Sequence, residues 1–240
     1  MSVANYAAEE RRKLEISEIS ENIYLHKSFK HVPLWGLIGS NGLVYIEGKK
    51  AFIIDTPWSE DDTEKLVTWT KDQGVSLAGS ISTHSHDDRT AGIAWLNAKG
   101  IPTYAYKLTN NFLKQGGYEM ATHTLTEDEN KLFGGNLIVY YPGGGHTQDN
   151  VVVWLPKSKV LFGGCFVRSL NSRNLGYIKE ANIDKWPKSM NKVLSRYPDV
   201  KTVVPGHGKY GDIRLLMHTK KLSESQLNKS IHTENARKNQ

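Results

Sequence analysis

The sequence predicts an α/β fold in one globular domain, on three observations. Short apolar, β-branched runs such as SLAGSIS, NLIVYYP and NVVVWLP alternate with stretches that carry apolar residues at helical spacing. At 240 residues, with 38% hydrophobic and 10% aromatic content, the chain is long enough to bury a large core. No low-complexity linker divides it, and no apolar stretch nears the ~20 residues that cross a bilayer, so one domain over 1–240 with no membrane partner is expected. The first residues, MSVANYAAEERRKLE, lack the apolar centre of a secretory leader.

Taken in order, GLVYIEGKKAFIIDTP reads as two strands joined by a turn at Gly48. Ser59 can then cap a helix running through Glu64, Leu66 and Trp69. SLAGSISTH is a strand that stops at His84, and Thr90 to Ala98 presents Ile93, Trp95 and Leu96 as a helical apolar face. The second half repeats the logic: NLIVYYP and NVVVWLP flank His146, and Lys157 to Lys159 turns into VLFGGC. Ile183 to Tyr197 reads as a helix with Pro187 in its first turn, and VKTVVPGHG as a last strand ending at His207. From about residue 219 the chain turns polar, first as a terminal helix and then as a frayed tail.

Six potential metal ligands sit where these strands hand over to loops: His84, His86 and Asp88 in THSHDDRTAG, His146 in PGGGHTQDN, Cys165 in FGGCFV and His207 in VPGHGKYG. In an extended segment the imidazoles of His84 and His86 point the same way and can share one ion. His146 follows a Gly143 to Gly145 run that permits a tight turn, and it completes a three-histidine site whose fourth position is open, the arrangement of a catalytic zinc. Asp88, Cys165 and His207 remain as a second, mixed site, so that one hydroxide could bridge two ions. Each piece alone is weak; the joint pattern is specific. Cys165 is the only cysteine, so no disulfide forms within the chain. The net charge of +6 suits anionic ligands, but its cations are dispersed rather than gathered into a track, which argues against nucleic acid. The other histidines, His26, His31, His123, His218 and His232, lack partner spacing and read as surface or loop residues.

The segments THSHDDRTAG, PGGGHTQDNVVVWLP, LFGGC and VVPGHG, in this order and within a likeness from about Ile19 to about Leu222, resemble the class B metallo-β-lactamases of the di-zinc subclass. The resemblance implies a four-layer αββα sandwich of two βα halves, approximately 19–118 and 119–222. It also implies two Zn2+ per chain, the first held by His84, His86 and His146 and the second by Asp88, Cys165 and His207. A zinc-bound hydroxide would attack the lactam carbonyl while the second zinc takes the departing nitrogen, with Asp88 counted among the catalytic residues. A monomeric, periplasmic hydrolase of penicillins, cephalosporins and carbapenems is implied, made with a leader that these residues do not show.

The same resemblance supplies substrate residues. Arg168 stands three residues beyond Cys165, where the family often has a lysine that binds the β-lactam carboxylate; the charge is kept and the geometry is not. Asn174 matches an asparagine placed to polarise the lactam carbonyl. HKSFKHVPLWGLIGSNG resembles a mobile flap with Trp35 near its tip. Asp55 and Arg89 lie beside ligand loops, where they could orient ligands of the second zinc. Two alternatives come from other functions: a thioester or phosphodiester hydrolase of the same fold, and a non-catalytic zinc protein. Hydrolases of that wider group commonly read H-x-H-x-D-H, whereas here Arg89 follows Asp88, and open coordination positions argue against a purely structural zinc.

Overall fold

Two β-sheets packed face to face form the centre of the molecule, described over residues 12–238 in a computed structural model. The first sheet has seven strands in chain order, β1 (Glu15–Ser20), β2 (Ile23–Val32), β3 (Gly36–Glu47), β4 (Lys50–Ile54), β5 (Ser76–Ser82), β6 (Thr103–Tyr106) and β7 (His123–Leu125). Its first four strands run antiparallel. From β4 onward the pairing is parallel, because helices return the chain: α1 (Glu60–Asp72), then α2 (Asp87–Thr90) with α3 (Ile93–Ala98), then α4 (Lys107–Gln115). The second sheet comprises β8 (Glu129–Leu132), β9 (Leu137–Tyr140), β10 (Val152–Leu155), β11 (Val160–Gly164) and β12 (Thr202–Pro205), lying in the spatial order β12, β11, β10, β9, β8. Helix α5 (Trp186–Arg196) makes its one parallel return, from β11 to β12, and α6 (Arg214–Lys238) follows.

Alternation along the strands decides which faces meet. Ile23, Leu43, Phe52, Ile54 and Ile81 of the first sheet pack on Leu137, Val139, Val153, Phe162 and Val204 of the second, all buried. The outer face of the first sheet, with Val44 and Ile53, is covered by Leu66 and Val67 of α1 and Leu96 of α3. The outer face of the second, with Val152, Leu161 and Val203, is covered by Trp186, Met190 and Val193 of α5 and Leu215 and Leu216 of α6. The layers are helix, sheet, sheet, helix, as expected, and truncating one of these buried aliphatic residues to alanine costs about 2–5 kcal/mol.

Local signals worked where they had a mechanism. Gly48 turns β3 into β4 at φ 60°, and the Asp62 N–H donates to the Ser59 hydroxyl at 3.2 Å to cap α1. Other expectations need correction. The helix expected over Thr90 to Ala98 is two short helices, the first beginning at Asp87 inside the ligand loop. The break falls at Gly92, where an added Cβ would lie 2.4 Å from the Thr63 hydroxyl and whose N–H donates to Thr56 Oγ1. Helix α5 starts at Trp186 rather than Ile183, because Pro187 has no N–H to bond back to the Ile183 carbonyl and so fits only the first turn. Helix α6 starts at Arg214, earlier than 219, since Leu215 and Leu216 bury against the second sheet, and it continues to Lys238 in place of a frayed tail. The first sheet reaches Leu125, past the expected boundary near 118, because β7 pairs in parallel with β6.

His26 is the clearest misreading among the histidines expected at the surface. It is 1% exposed on β2, and its Nε2–H donates to the Asp55 carbonyl at 3.0 Å. Gly42 faces it, and a Cβ there would lie 2.2 Å from that nitrogen, so only glycine leaves room for the ring.

Candidate metal centre

Four strand ends along one edge of the two sheets deliver the site. Asp55 follows β4, His84 follows β5, Cys165 follows β11 and His207 follows β12. The loops after β5 and before β10 add His86, Asp88 and His146. All six predicted ligands converge. The rings of His84, His86 and His146 lie 4.6, 5.0 and 5.1 Å apart, and His146 Nε2 is 3.3 Å from His86 Nδ1. In the second set, Cys165 Sγ is 3.2 Å from His207 Nε2 and 3.5 Å from Asp88 Oδ2, and His207 Nε2 is 3.2 Å from Asp88 Oδ2. The sets are contiguous, since donor atoms of His84, His146 and Cys165 also fall within 4.8 Å of one another. Asp88 spans them: Oδ2 faces His207, and Oδ1 is 3.9 Å from His84 Nε2.

The residues fit a metal on grounds internal to the molecule. His84 is wholly buried with neither ring nitrogen hydrogen-bonded, and His146 Nδ1 is likewise buried without a partner. Buried polar atoms are rarely left so unless something else satisfies them. Burial, and then the neighbouring imidazole of His86, hold the pKa of both His84 and His146 well below the ordinary value, which keeps them neutral lone-pair donors. His207 behaves oppositely. Burial opposes its charged form, but Cys165 and Asp88 overcome it and raise the pKa to about 10. A pocket that holds a proton on this ring by negative charge is one that a dication can occupy in the proton's place. The His207 Nδ1–H donates to the Gly39 carbonyl at 2.9 Å, which turns Nε2 toward Cys165 and Asp88.

Arg89, expected beside the ligand loop, is the hub of the second set. It is 0% exposed, and its Nη2 donates to Asp88 Oδ2 at 2.7 Å, to Cys165 Sγ at 3.2 Å and to the Gly206 carbonyl at 3.1 Å. Its Nη1 reaches the Asn41 carbonyl at 2.6 Å and Asp55 Oδ2 at 3.0 Å. Burial would raise the Asp88 pKa, yet Arg89 and His207 hold it well below the carboxylate range. Asp55 is pushed up to about 6 by burial, against the pull of Arg89 and the Thr83 hydrogen bonds. Gly206 is required here, because a Cβ would come within 2.7 Å of Cys165 Sγ and 2.8 Å of Arg89 Nη2.

The centre opens into a cavity of about 1080 Å³ lined by every ligand except His84. Trp35 lines it from the β2–β3 hairpin, 56% exposed at the tip of the segment expected to be a flap. Arg168 also lines it, largely buried, with its guanidinium passing 3.1 Å from where a Gly176 Cβ would stand. Asn174 is not among the lining residues: it is exposed, and its Oδ1 accepts the Gly176 N–H at 2.9 Å. The side chains that do reach the cavity from this loop are Tyr177 and Glu180, and Trp58 joins from the segment after β4. Sequence reading missed all three. The i, i+3 spacing of Tyr177 and Glu180 just after a glycine was the available signal.

Residues 35–207 match the family described as the metallo-beta-lactamase superfamily. A metallo-beta-lactamase type 2 of Pseudomonas aeruginosa is 45% identical over 206 residues, covering 86% of this chain and 82% of that protein. One from Bacteroides fragilis is 37% identical over 211 residues, covering 87% and 85%. Among solved structures, TMB-1 superposes with a TM-score of 0.89 at 60% identity, covering 90% of this chain and 99% of its own. The DIM-1 metallo-beta-lactamase exposed to ceftazidime superposes at 0.89 and 57% identity, with the same coverage.

Proposed function

This chain belongs to the metallo-beta-lactamase superfamily as a zinc-dependent hydrolase of β-lactams conferring antibiotic resistance, and from that premise we propose which residues do the work. His84, His86 and His146 would hold a first zinc, and Asp88, Cys165 and His207 a second. The observation that carries this reading is the contiguity of the two donor sets on the wall of one open cavity. When bound, zinc supplies a nucleophile from water at neutral pH and Lewis acidity toward the carbonyl and the leaving nitrogen.

The chain's own groups set the stage for that chemistry. Arg89 holds Asp88 in its anionic, metal-binding form and donates to Cys165 Sγ, and Asp55 balances the guanidinium from the other side. With Asp88 Oδ2 committed to Arg89 and His207, Oδ1 is the atom left to take the proton of the attacking water and return it to the lactam nitrogen. Arg168, whose Nε has no partner in the protein, offers its donor fork to the substrate carboxylate. Trp35 covers apolar substituents and excludes water as the hairpin closes. Asn174, engaged in its own turn, is given no substrate contact in this reading. The enzyme is proposed to act as a periplasmic monomer and to accept carbapenems as well as penicillins and cephalosporins.

The test is hydrolysis of a cephalosporin and a carbapenem by zinc-loaded protein, after chelation, and after zinc is restored, with bound zinc counted at each stage. Activity should vanish and return, with two zinc ions per chain. A single zinc at full activity would remove the second site from the mechanism, and carbapenem hydrolysis at background would narrow the substrate range.

A further inference from the structure

The three imidazoles of the first set are not equally supported. His84 has no hydrogen bond on either nitrogen, and His146 has none on Nδ1. Of the three, only His86 has a carboxylate within hydrogen-bond distance. Its Nδ1 faces His146 Nε2 at 3.3 Å, so Nδ1 is the nitrogen turned to the centre, and its Nε2 lies 2.9 Å from Glu180 Oε2. The other oxygen of Glu180 accepts the Tyr177 hydroxyl at 3.1 Å, and the Tyr177 ring stands edge-on to His86, 5.9 Å between centroids.

We propose that Glu180 is a positioning residue for the metal ligand His86, held in turn by Tyr177, so that the loop over the cavity is wired to the first metal. The proposal rests on the zinc assignment above. A carboxylate that accepts the Nε2–H fixes the tautomer in which the Nδ1 lone pair is free, and it fixes the ring plane as well. The backbone places Glu180 for this task. Two residues on, the Asn182 N–H donates to the Gly145 carbonyl at 2.8 Å, and Gly144 lies so close that its Cβ would be 2.9 Å from Asn182 Cβ. The loop that carries Glu180 is thus seated on the turn that carries His146. Upstream, Gly176 at φ 74° turns the chain so that Tyr177 faces the cavity rather than solvent alone.

An exposed ion pair with no such role would leave metal binding untouched when broken, because exposed pairs contribute little. The decisive measurement is zinc affinity by competition with a chromophoric chelator, together with the absorption spectrum of cobalt-substituted protein, for wild type, Glu180→Gln, Glu180→Ala, Tyr177→Phe and the Glu180→Ala/Tyr177→Phe pair. Glu180→Ala should weaken the first metal about 10–100-fold and shift the cobalt spectrum. Glu180→Gln should fall between, since an amide oxygen still accepts, and Tyr177→Phe should cost a few-fold alone and nothing more in the Glu180→Ala background. Unchanged affinity and spectrum in Glu180→Ala would overturn the positioning role. A Tyr177→Phe effect that persists undiminished in that background would overturn the relay. Wild-type protein that takes up no zinc would instead overturn the zinc assignment itself, and this inference with it.

Discussion

The two halves of the metal centre are built on opposite electrostatic plans. The second set is a charged cluster, in which Arg89 gathers Asp88, Cys165 and Asp55 around one buried guanidinium and His207 carries a stabilised proton. The first set is three imidazoles crowded together by packing, one of them with no hydrogen bond at all. The difference teaches how each keeps its shape. The charged set has its own ion pairs to hold shape, while the first set depends on the rigid strand ends beneath it and, at His86, on Glu180. It also divides the consequences of mutation: loss of the guanidinium that gathers the second set should strike folding and chemistry together.

Breaking the hub should therefore have the largest effect. Arg89→Ala leaves Asp55 buried without a cation and Asp88 with His207 alone, and removing one member of a buried pair costs about 3–5 kcal/mol. Thermal unfolding of zinc-free protein should show that loss in full, and a stability within about 1 kcal/mol of wild type would mean that the charges are solvated rather than paired. Cys165→Ser comes next and separates chemistry from folding. A hydroxyl is a far poorer zinc ligand than a thiolate, so turnover should drop about 100-fold, near 2.7 kcal/mol, while the first set still binds one zinc and the fold holds. Near-normal turnover with two zincs bound would show that Cys165 is a neighbour of the centre and not a ligand.

How legible each set was follows from the same contrast. The ligands announced themselves because zinc chemistry restricts residue type, and because β-branched strands stopping at His84, Cys165 and His207 mark the edge where loops converge. The αββα layering was not legible from periodicity, which gives strands and helices but not which sheet a strand joins; it came from resemblance to a family. Glu180 and Tyr177 stayed hidden because an orienting carboxylate is defined by an approach of 2.9 Å across 94 residues, which spacing does not encode. Asn174 stands off the cavity lining for a local reason: its Oδ1 accepts the Gly176 N–H, and Gly176 turns Tyr177 inward. His26 was read as a surface histidine for want of metal-ligand spacing, although β2 buries it on the same face as Ser28 two residues on.

That buried histidine sharpens the comparison at its smallest scale, since it supports the charged set from below through the Asp55 carbonyl. Burial lowers its pKa from 6.5 to about 3, against the backbone hydrogen bond that favours the charged ring, so the folded protein keeps His26 neutral. The unfolded chain binds the proton first as pH falls, so the stability this ring contributes is fully present above pH 6.5 and is lost progressively between 6.5 and about 3. Between pH 7 and pH 5 the expected loss is on the order of 1–2 kcal/mol. Urea unfolding of zinc-free wild type and His26→Gln at both pH values isolates it, because every other titrating group is common to the two proteins. The variant should be less stable at pH 7, where the ring's packing against Gly42 is lost, yet decline less toward pH 5. Parallel decline in the two proteins would place the acid sensitivity of the fold elsewhere, with the carboxylates and ligands of the charged set as its seat.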